Sequence, residues 1–234
     1  MQLEHSNIQR CLYNSSRAPR SLLQTGKQRD ETAHAVKLLD SRPRLMASDS
    51  RFYAPDSALA PIRAYVGIGS NLGDRAGNLL LAVRGMMNAG LCVACLSSIY
   101  ETEPVDVREQ PAFLNMVAEL KFEPELRRPI PTPEQVLARL LRIEYALGRH
   151  RDVPRGPRTI DLDLLLYGNR LRATELLKLP HPRLHQRRFV LVPLAEIAPQ
   201  AIHPTLHQTV SDLLAQTDDH SEVKRWTAQD ADAR

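Results

Sequence analysis

"RGPRTIDLDLLLYG", residues 155–168, sets two aspartates one residue apart, behind two arginines and ahead of three consecutive leucines. The alternation D-L-D-L predicts a half-buried β-strand. Residues two apart share a face, so Asp161 and Asp163 point one way with Cα atoms ~6.5 Å apart, while Leu162, Leu164 and Leu166 point the other. Two carboxylates held that close repel, and at least one resists ionisation unless a cation lies between them. Hard oxygen ligands from so few residues suit magnesium, which keeps waters and takes its remaining ligands from substrate phosphates. Arg155 and Arg158, just upstream, would face the same polyphosphate and neutralise it. Gly156 and Pro157 let that loop bend and then stiffen. A bare D-x-D is more often an edge strand with a solvated acidic face. The adjoining arginines favour the metal and phosphate reading.

The neighbouring segments frame this strand. "AYVGIGS" (64–70) reads as a short buried strand, and "NLGD" (71–74) as a turn with Asp74 placed to cap a helix. Leu79, Leu80, Val83, Met86 and Met87 recur at helical spacing until Gly90. "GIGSNLG" has neither the Lys-Ser/Thr of a Walker loop nor the G-x-G-x-x-G spacing, so a tight structural turn is the expectation. "LCVACLSSIYETE" and "AFLNMVAELKFE" are two strand candidates around the polar loop "PVDVREQP". "TPEQVLARLLRIEYALG" begins with Thr132 as N-cap, Pro133 at the first helical position and Gln135 completing a capping box, and it stops at Gly148. An extended pair around Leu171 and Leu179 and a helical or mixed element in "RRFVLVPLAEIAP" follow the acidic strand. This mixed order of strands and helices predicts an α+β sandwich rather than a doubly wound parallel sheet.

Composition bounds the function classes. The 234 residues are 43% hydrophobic and 25% charged, enough for one sizeable core. No apolar run reaches the ~20 residues of a membrane span, and no secretory leader is evident, so a cytoplasmic protein is expected. Residues 1–60 hold 9 Lys and Arg against 6 Asp and Glu, leaving 22 against 21 in residues 61–234. The near-neutral body speaks against a long nucleic-acid track, although the net charge is +4. Residues 1–60 lack sustained periodicity and read as a disordered extension, or as the product of a mis-assigned start with Met46 as an internal candidate. The folded domain is expected over 61–216, with a polar tail over 217–234. Cys11, Cys92 and Cys95 are too few for a disulfide framework, and the C-x-x-C lacks a second ligand pair for zinc, so buried strand cysteines are expected.

Further residues gain meaning beside the aspartates. Phe113 and Phe189 sit near polar company, Asn115 beside one and His181, Arg187 and Arg188 near the other. Each alone reads as core. Facing one another across a cleft, they would hold a flat heterocycle. His181 is a candidate phosphate donor.

The blocks "GSNLGD", "SSIYETEPV", "QPAFLNMVAEL", "PRTIDLDLLLYG" and "LPHPRLHQRRFVLVPLAEIAP" closely resemble, in order, those of the 6-hydroxymethyl-7,8-dihydropterin pyrophosphokinases of folate biosynthesis. The resemblance spans roughly residues 63–200. It implies a ferredoxin-like α/β sandwich, with a mostly antiparallel sheet and helices on its faces. It also implies transfer of the terminal pyrophosphoryl group of ATP to the pterin hydroxymethyl oxygen, releasing AMP. By position, Asp161 and Asp163 would bind two magnesium ions. Arg158 would stabilise charge on the β-phosphate, with Arg149 a further catalytic residue. Glu144, Arg151, Leu164, His181 and Arg187 would lie on the nucleotide side. Phe113 and Phe189 would sandwich the pterin, with Asn115, Thr102 and Val105 at its polar edge. The expected partners are these two small molecules, with no nucleic acid and no membrane, acting on a monomer. Three departures from the family's usual pattern are an arginine loop one residue shorter, Arg155 where an aromatic often stands, and Pro182 where a tyrosine can occur. Two other classes use related residues: a binding-only relative that holds pterin without turnover, and a metal-dependent nucleic-acid enzyme.

Overall fold

The computed structural model describes residues 61–104, 109–124, 129–149, 156–227 and 229. The expected extension over 1–60, together with Val105, Arg151 and Arg155, lies outside them.

The described elements are β1 (Ile62–Ser70), α1 (Arg75–Asn88), β2 (Val93–Leu96), β3 (Tyr100–Thr102), β4 (Phe113–Phe122), α2 (Pro133–Ala146), β5 (Asp161–Tyr167), β6 (Arg172–Ala173), β7 (Lys178–Leu179), a 3-10 turn (Leu184–Gln186), α3 (Arg188–Ile197), α4 (Val210–Gln216) and β8 (Val223–Arg225). Six strands form the main sheet in the order β5-β1-β4-β3-β8, with β2 also on β4, and every pairing between these strands is antiparallel. β6 and β7 form a separate hairpin. The architecture is the α+β sandwich expected.

Each face of the sheet buries its own core. Val66 and Ile68 of β1, Leu114 and Met116 of β4, and Leu162 and Leu164 of β5 pack with Leu79, Met86, Leu140 and Ile143 from α1 and α2. Tyr65, Val117, Leu165 and Leu166 pack on the opposite face with Leu191 and Leu194 of α3 and Leu213 of α4. The capping expectations hold in detail: Asp74 accepts from the Gly77 N–H, and Thr132 and Gln135 form the reciprocal capping box. Leu79, Val83 and Met86 form the buried stripe of α1, whereas Leu80 and Met87 lie on its exposed side.

The strand expected over 64–70 is β1, which starts two residues earlier and ends at Ser70, with the turn at Asn71 as read. Three expectations change. A register shift in β5 opposite Tyr65/Val66 carries Leu166 to the aspartates' face, away from Leu162 and Leu164. The "LCVACLSSIYETE" run divides into β2 and β3. Cys92 is exposed and Cys95 half-buried, because β2 is a short edge strand. The polar C-terminal segment also supplies an unforeseen strand, β8, on β3.

Candidate active site

The α3-side face of the sheet opens into a cleft of about 990 Å³. Its floor follows from register. Gly69 of β1 stands between Asn115 of β4 and Asp161 of β5, and Gly67 stands between Val117 and Asp163. Glycines at these alternate positions leave a trough along β1, and two strand spacings make it ~10 Å wide. Asn115 on β4 thus stands across the trough from carboxylates on β5, with the Leu165 side chain reaching over Gly67. An added Cβ at Gly69 would stand 2.8 Å from Asn115 Oδ1. The two glycines line the cleft and were not singled out from the sequence, although their i, i+2 spacing on a strand matches that of the aspartates.

The acidic side is tightly wired. Asp161 accepts from Arg149 on Oδ1 at 2.6 Å and from Arg158 on Oδ2 at 2.6 Å. Arg149 also pairs with Glu144, the end of α2, and Glu144 accepts from the Leu162 N–H at 2.7 Å. Gly148, with φ of 77°, ends α2 in the left-handed region and so turns Arg149 back toward the cleft. Burial, the neighbouring Asp161 charge and Glu144 push the Asp163 carboxyl up to about 7, against the opposing pull of Arg187 and Arg149. The Arg158 Nε is buried with no hydrogen-bond partner in the structure, a donor ready for an incoming oxygen. Among the described residues no cluster of three or more His, Cys, Asp or Glu forms a cage able to hold a metal. Two same-face carboxylates fit a cation that completes its shell with phosphate and water, which is the habit of magnesium.

The opposite wall brings together the residues expected at a heterocycle. Phe113, at the start of β4, and Phe189, in the first turn of α3, both line the cleft. The Arg158 guanidinium lies over the Phe113 ring, 5.7 Å from its centroid, and Arg187 lies over Phe189 at 5.3 Å. Asn115 donates to Thr102 Oγ1 at 2.8 Å, and both are buried. That bond fixes the amide so that its oxygen faces Gly69.

His181 is held by its N–H to the Leu165 carbonyl, and its Nδ1 accepts from the Arg183 N–H, leaving Nε2 to carry the proton. Burial and the charges of Arg187 and Arg183 lower its pKa to about 4, so it is a neutral donor at pH 7. Leu164 alone of the expected residues that are described stays out of the cleft; its side chain lies in the α1/α2 core. Leu137, Leu141, Leu176 and Leu177 add an apolar wall that sequence reading did not single out.

Asn71 joins the two loops that border this cleft. Its Oδ1 accepts from the Arg158 N–H at 2.8 Å, and its Nδ2 donates to Gln110 Oε1 and the Pro111 carbonyl at 3.2 and 3.3 Å. The local sequence marks Asn71 only as a turn residue.

The fold is an α+β sandwich whose cleft sets two aspartates and several arginines against two phenylalanines and Asn115. Residues 65–199 match the model of the 7,8-dihydro-6-hydroxymethylpterin-pyrophosphokinase family, and the chain belongs to that family. It is 46% identical over 138 residues to the 2-amino-4-hydroxy-6-hydroxymethyldihydropteridine pyrophosphokinase of Bacillus subtilis, covering 58% of this chain and 78% of that protein. The Haemophilus influenzae protein of the same name is 40% identical over 166 residues, covering 70% of this chain and 98% of that one. A folic acid synthesis protein of Pneumocystis carinii is 35% identical over 179 residues, but the match spans only 23% of its length. The fold is similar to that of a solved HPPK-DHPS in complex with substrates, at a TM-score of 0.51 and 15% identity, covering 66% of this chain and 43% of that one.

Proposed function

We propose that the protein transfers pyrophosphate from ATP to the hydroxymethyl group of 6-hydroxymethyl-7,8-dihydropterin, releasing AMP, in folate biosynthesis. Family membership supports the reaction. The observation that carries it in this chain is the trough over Gly67 and Gly69, with Asn115 on one side and Asp161 and Asp163 on the other.

A pterin lying between Phe113 and Phe189, with its amide edge on Asn115, sends its hydroxymethyl arm across Gly69 toward the aspartates. The hydroxyl oxygen attacks the β-phosphorus of ATP, a bond forms there, and the bond to the oxygen bridging α and β breaks with AMP as leaving group. Asp161 and Asp163 would hold magnesium, for which we propose two ions; when bound, magnesium supplies neutralisation of the polyphosphate charge and orientation of its oxygens. Arg158 donates to the oxygens of the β-phosphate, where charge builds during transfer. Arg149, Arg187 and neutral His181 hold the remaining phosphate oxygens, and Arg151 and Glu144 complete the nucleotide side. Leu164 would contribute through its backbone, since its side chain is in the core. Val105 and Thr102 border the pterin edge. No nucleophilic side chain is needed, because positioning and electrostatic stabilisation account for this class of transfer. Acting on these two polar small molecules, the protein is proposed to work as a monomer in the cytoplasm, with no nucleic-acid or membrane partner.

Incubating the pure protein with ATP, magnesium and the pterin tests this. AMP that forms only with pterin, and is lost in Asp163→Ala, is expected. ADP, or pterin binding without AMP, would reject the reading.

A further inference from the structure

α3 starts in an unusual electrostatic setting. Its N-cap, Arg187, gives no side-chain cap, and its first turn contains no acidic residue. Arg187 and Arg188 instead place positive charge at the positive end of the helix dipole, which is the unfavourable sign. The Arg188 N–H finds its acceptor 31 residues away, in Asp219 Oδ2 at 2.7 Å. Asp219 is itself fixed: its Oδ1 accepts from the Ser221 N–H at 2.9 Å, and its N–H donates to Thr217 Oγ1 at 3.3 Å.

The same segment then becomes part of the sheet. β8 pairs with β3 so that Val223 lies opposite Thr102, and the Trp226 N–H donates to the Ile99 carbonyl at 2.9 Å. Residues 217–226 therefore tie the start of α3 to the sheet edge that carries Thr102. Arg187 and Phe189, on either side of Arg188, line the cleft from one end of this tie, and Thr102, the partner of Asn115, lies at the other.

We propose that Asp219 is a positioning residue for the transfer reaction: it anchors the first turn of α3 so that Arg187 and Phe189 keep their direction into the cleft. The proposal rests on the pyrophosphokinase reading. A carboxylate suits the task because it supplies both an acceptor for an orphan helix N–H and the charge that offsets two arginines. Burial works against ionisation of Asp219, yet the hydrogen bonds from Ser221 and the Arg188 backbone, with the charge of Arg188, hold its pKa below the usual carboxylate range.

The test uses full-length protein and the steady-state rate of AMP formation. Asp219→Ala is expected to raise the pterin KM about fivefold while kcat changes less than about twofold, a split that reports ground-state placement of Phe189. Asp219→Asn, whose amide oxygen can still accept from Arg188 while its Nδ2 cannot accept from Ser221, is expected to raise the pterin KM less than alanine does. Arg188→Pro supplies a variant that suits a first helical position and follows an extended Arg187, yet removes the N–H that Asp219 holds. It is expected to raise the pterin KM as Asp219→Ala does. Fluorescence of Trp226, the single tryptophan, reports whether the segment remains docked. A native pterin KM in both Asp219→Ala and Arg188→Pro, in folded protein, would overturn the proposal, as would an Asp219→Asn variant as impaired as alanine. Should the native protein make no AMP, the functional reading fails separately. Pterin dissociation constants by calorimetry then decide the role of Asp219, with the same fivefold weakening expected and unchanged values overturning it.

Discussion

Arg158 and Asp161 meet at 2.6 Å, guanidinium to Oδ2, three residues apart where the arginine loop enters β5. Arg149 takes the other oxygen of the same carboxylate, so both oxygens are engaged by cations that the proposed nucleotide phosphates would compete for. On the proposed reading, phosphate and metal would have to replace these ion pairs.

On the proposed reading, replacing Arg158 by alanine removes a donor to the transferring phosphate. The expected result is a fall in kcat of about 10²- to 10³-fold. The pterin KM should rise far less, since Asn115 and Phe189 are untouched. Initial-rate measurements of AMP at saturating substrates check this, and a kcat within tenfold of native would contradict it.

Asp163 is poised differently, because its pKa is raised to about 7. The folded chain binds this proton more tightly than the unfolded one. Its contribution to stability is thus fully present below about pH 4 and is lost as pH rises through about 7. Asp163→Asn should raise the metal-free unfolding stability by about 1–2 kcal/mol at pH 8, with a much smaller gain at pH 5, while abolishing AMP formation. Thermal melts at the two pH values decide the matter.

Gly69→Ala places a methyl group 2.8 Å from Asn115 Oδ1. Asn115 must then swing off Thr102, and the pterin KM should rise by about tenfold, equivalent to one lost polar contact. Gly67→Ala meets only the Leu165 side chain, at 3.5 Å, an ordinary contact, and should fold with native stability. Melting curves and KM values for the pair separate a crowded site from a damaged fold.

Asn71→Ala leaves the Arg158 N–H without its acceptor and releases Gln110 and Pro111. A loss of about 2 kcal/mol in stability is expected. kcat should also fall, because the loop that aims Arg158 loses its latch. Denaturant unfolding alongside AMP formation would expose a residue that is only structural, as lost stability with unchanged kcat.

Much of this arrangement was legible in the chain alone. The capping residues of α1 and α2 and the alternation of Asp161 to Leu164 depend on contacts a few residues apart, and local physics sets them. The five motif blocks mark the aspartates, Arg158 and the two phenylalanines as candidates, and the fold brings all five residues to one cleft. Leu166 shows where local pattern stops: strict alternation puts it with Leu164, but the irregular pairing of β5 on β1 turns it to the other face.

Periodicity and capping over one or two turns mark the ends of α1 and α2 and the acidic pair, and the order of elements marks the α+β class. Tertiary structure alone decided that Gly67 and Gly69 form the floor between Asn115 and the aspartates, because a trough exists only when three strands stand in register. It alone decided that Asn71 latches two loops 39 and 87 residues away, and that a polar segment beyond α4 caps α3 and adds an edge strand to the sheet. These are hydrogen bonds between backbone and side chains distant in sequence, and such partners become neighbours only after the hydrophobic cores on both faces of the sheet have assembled.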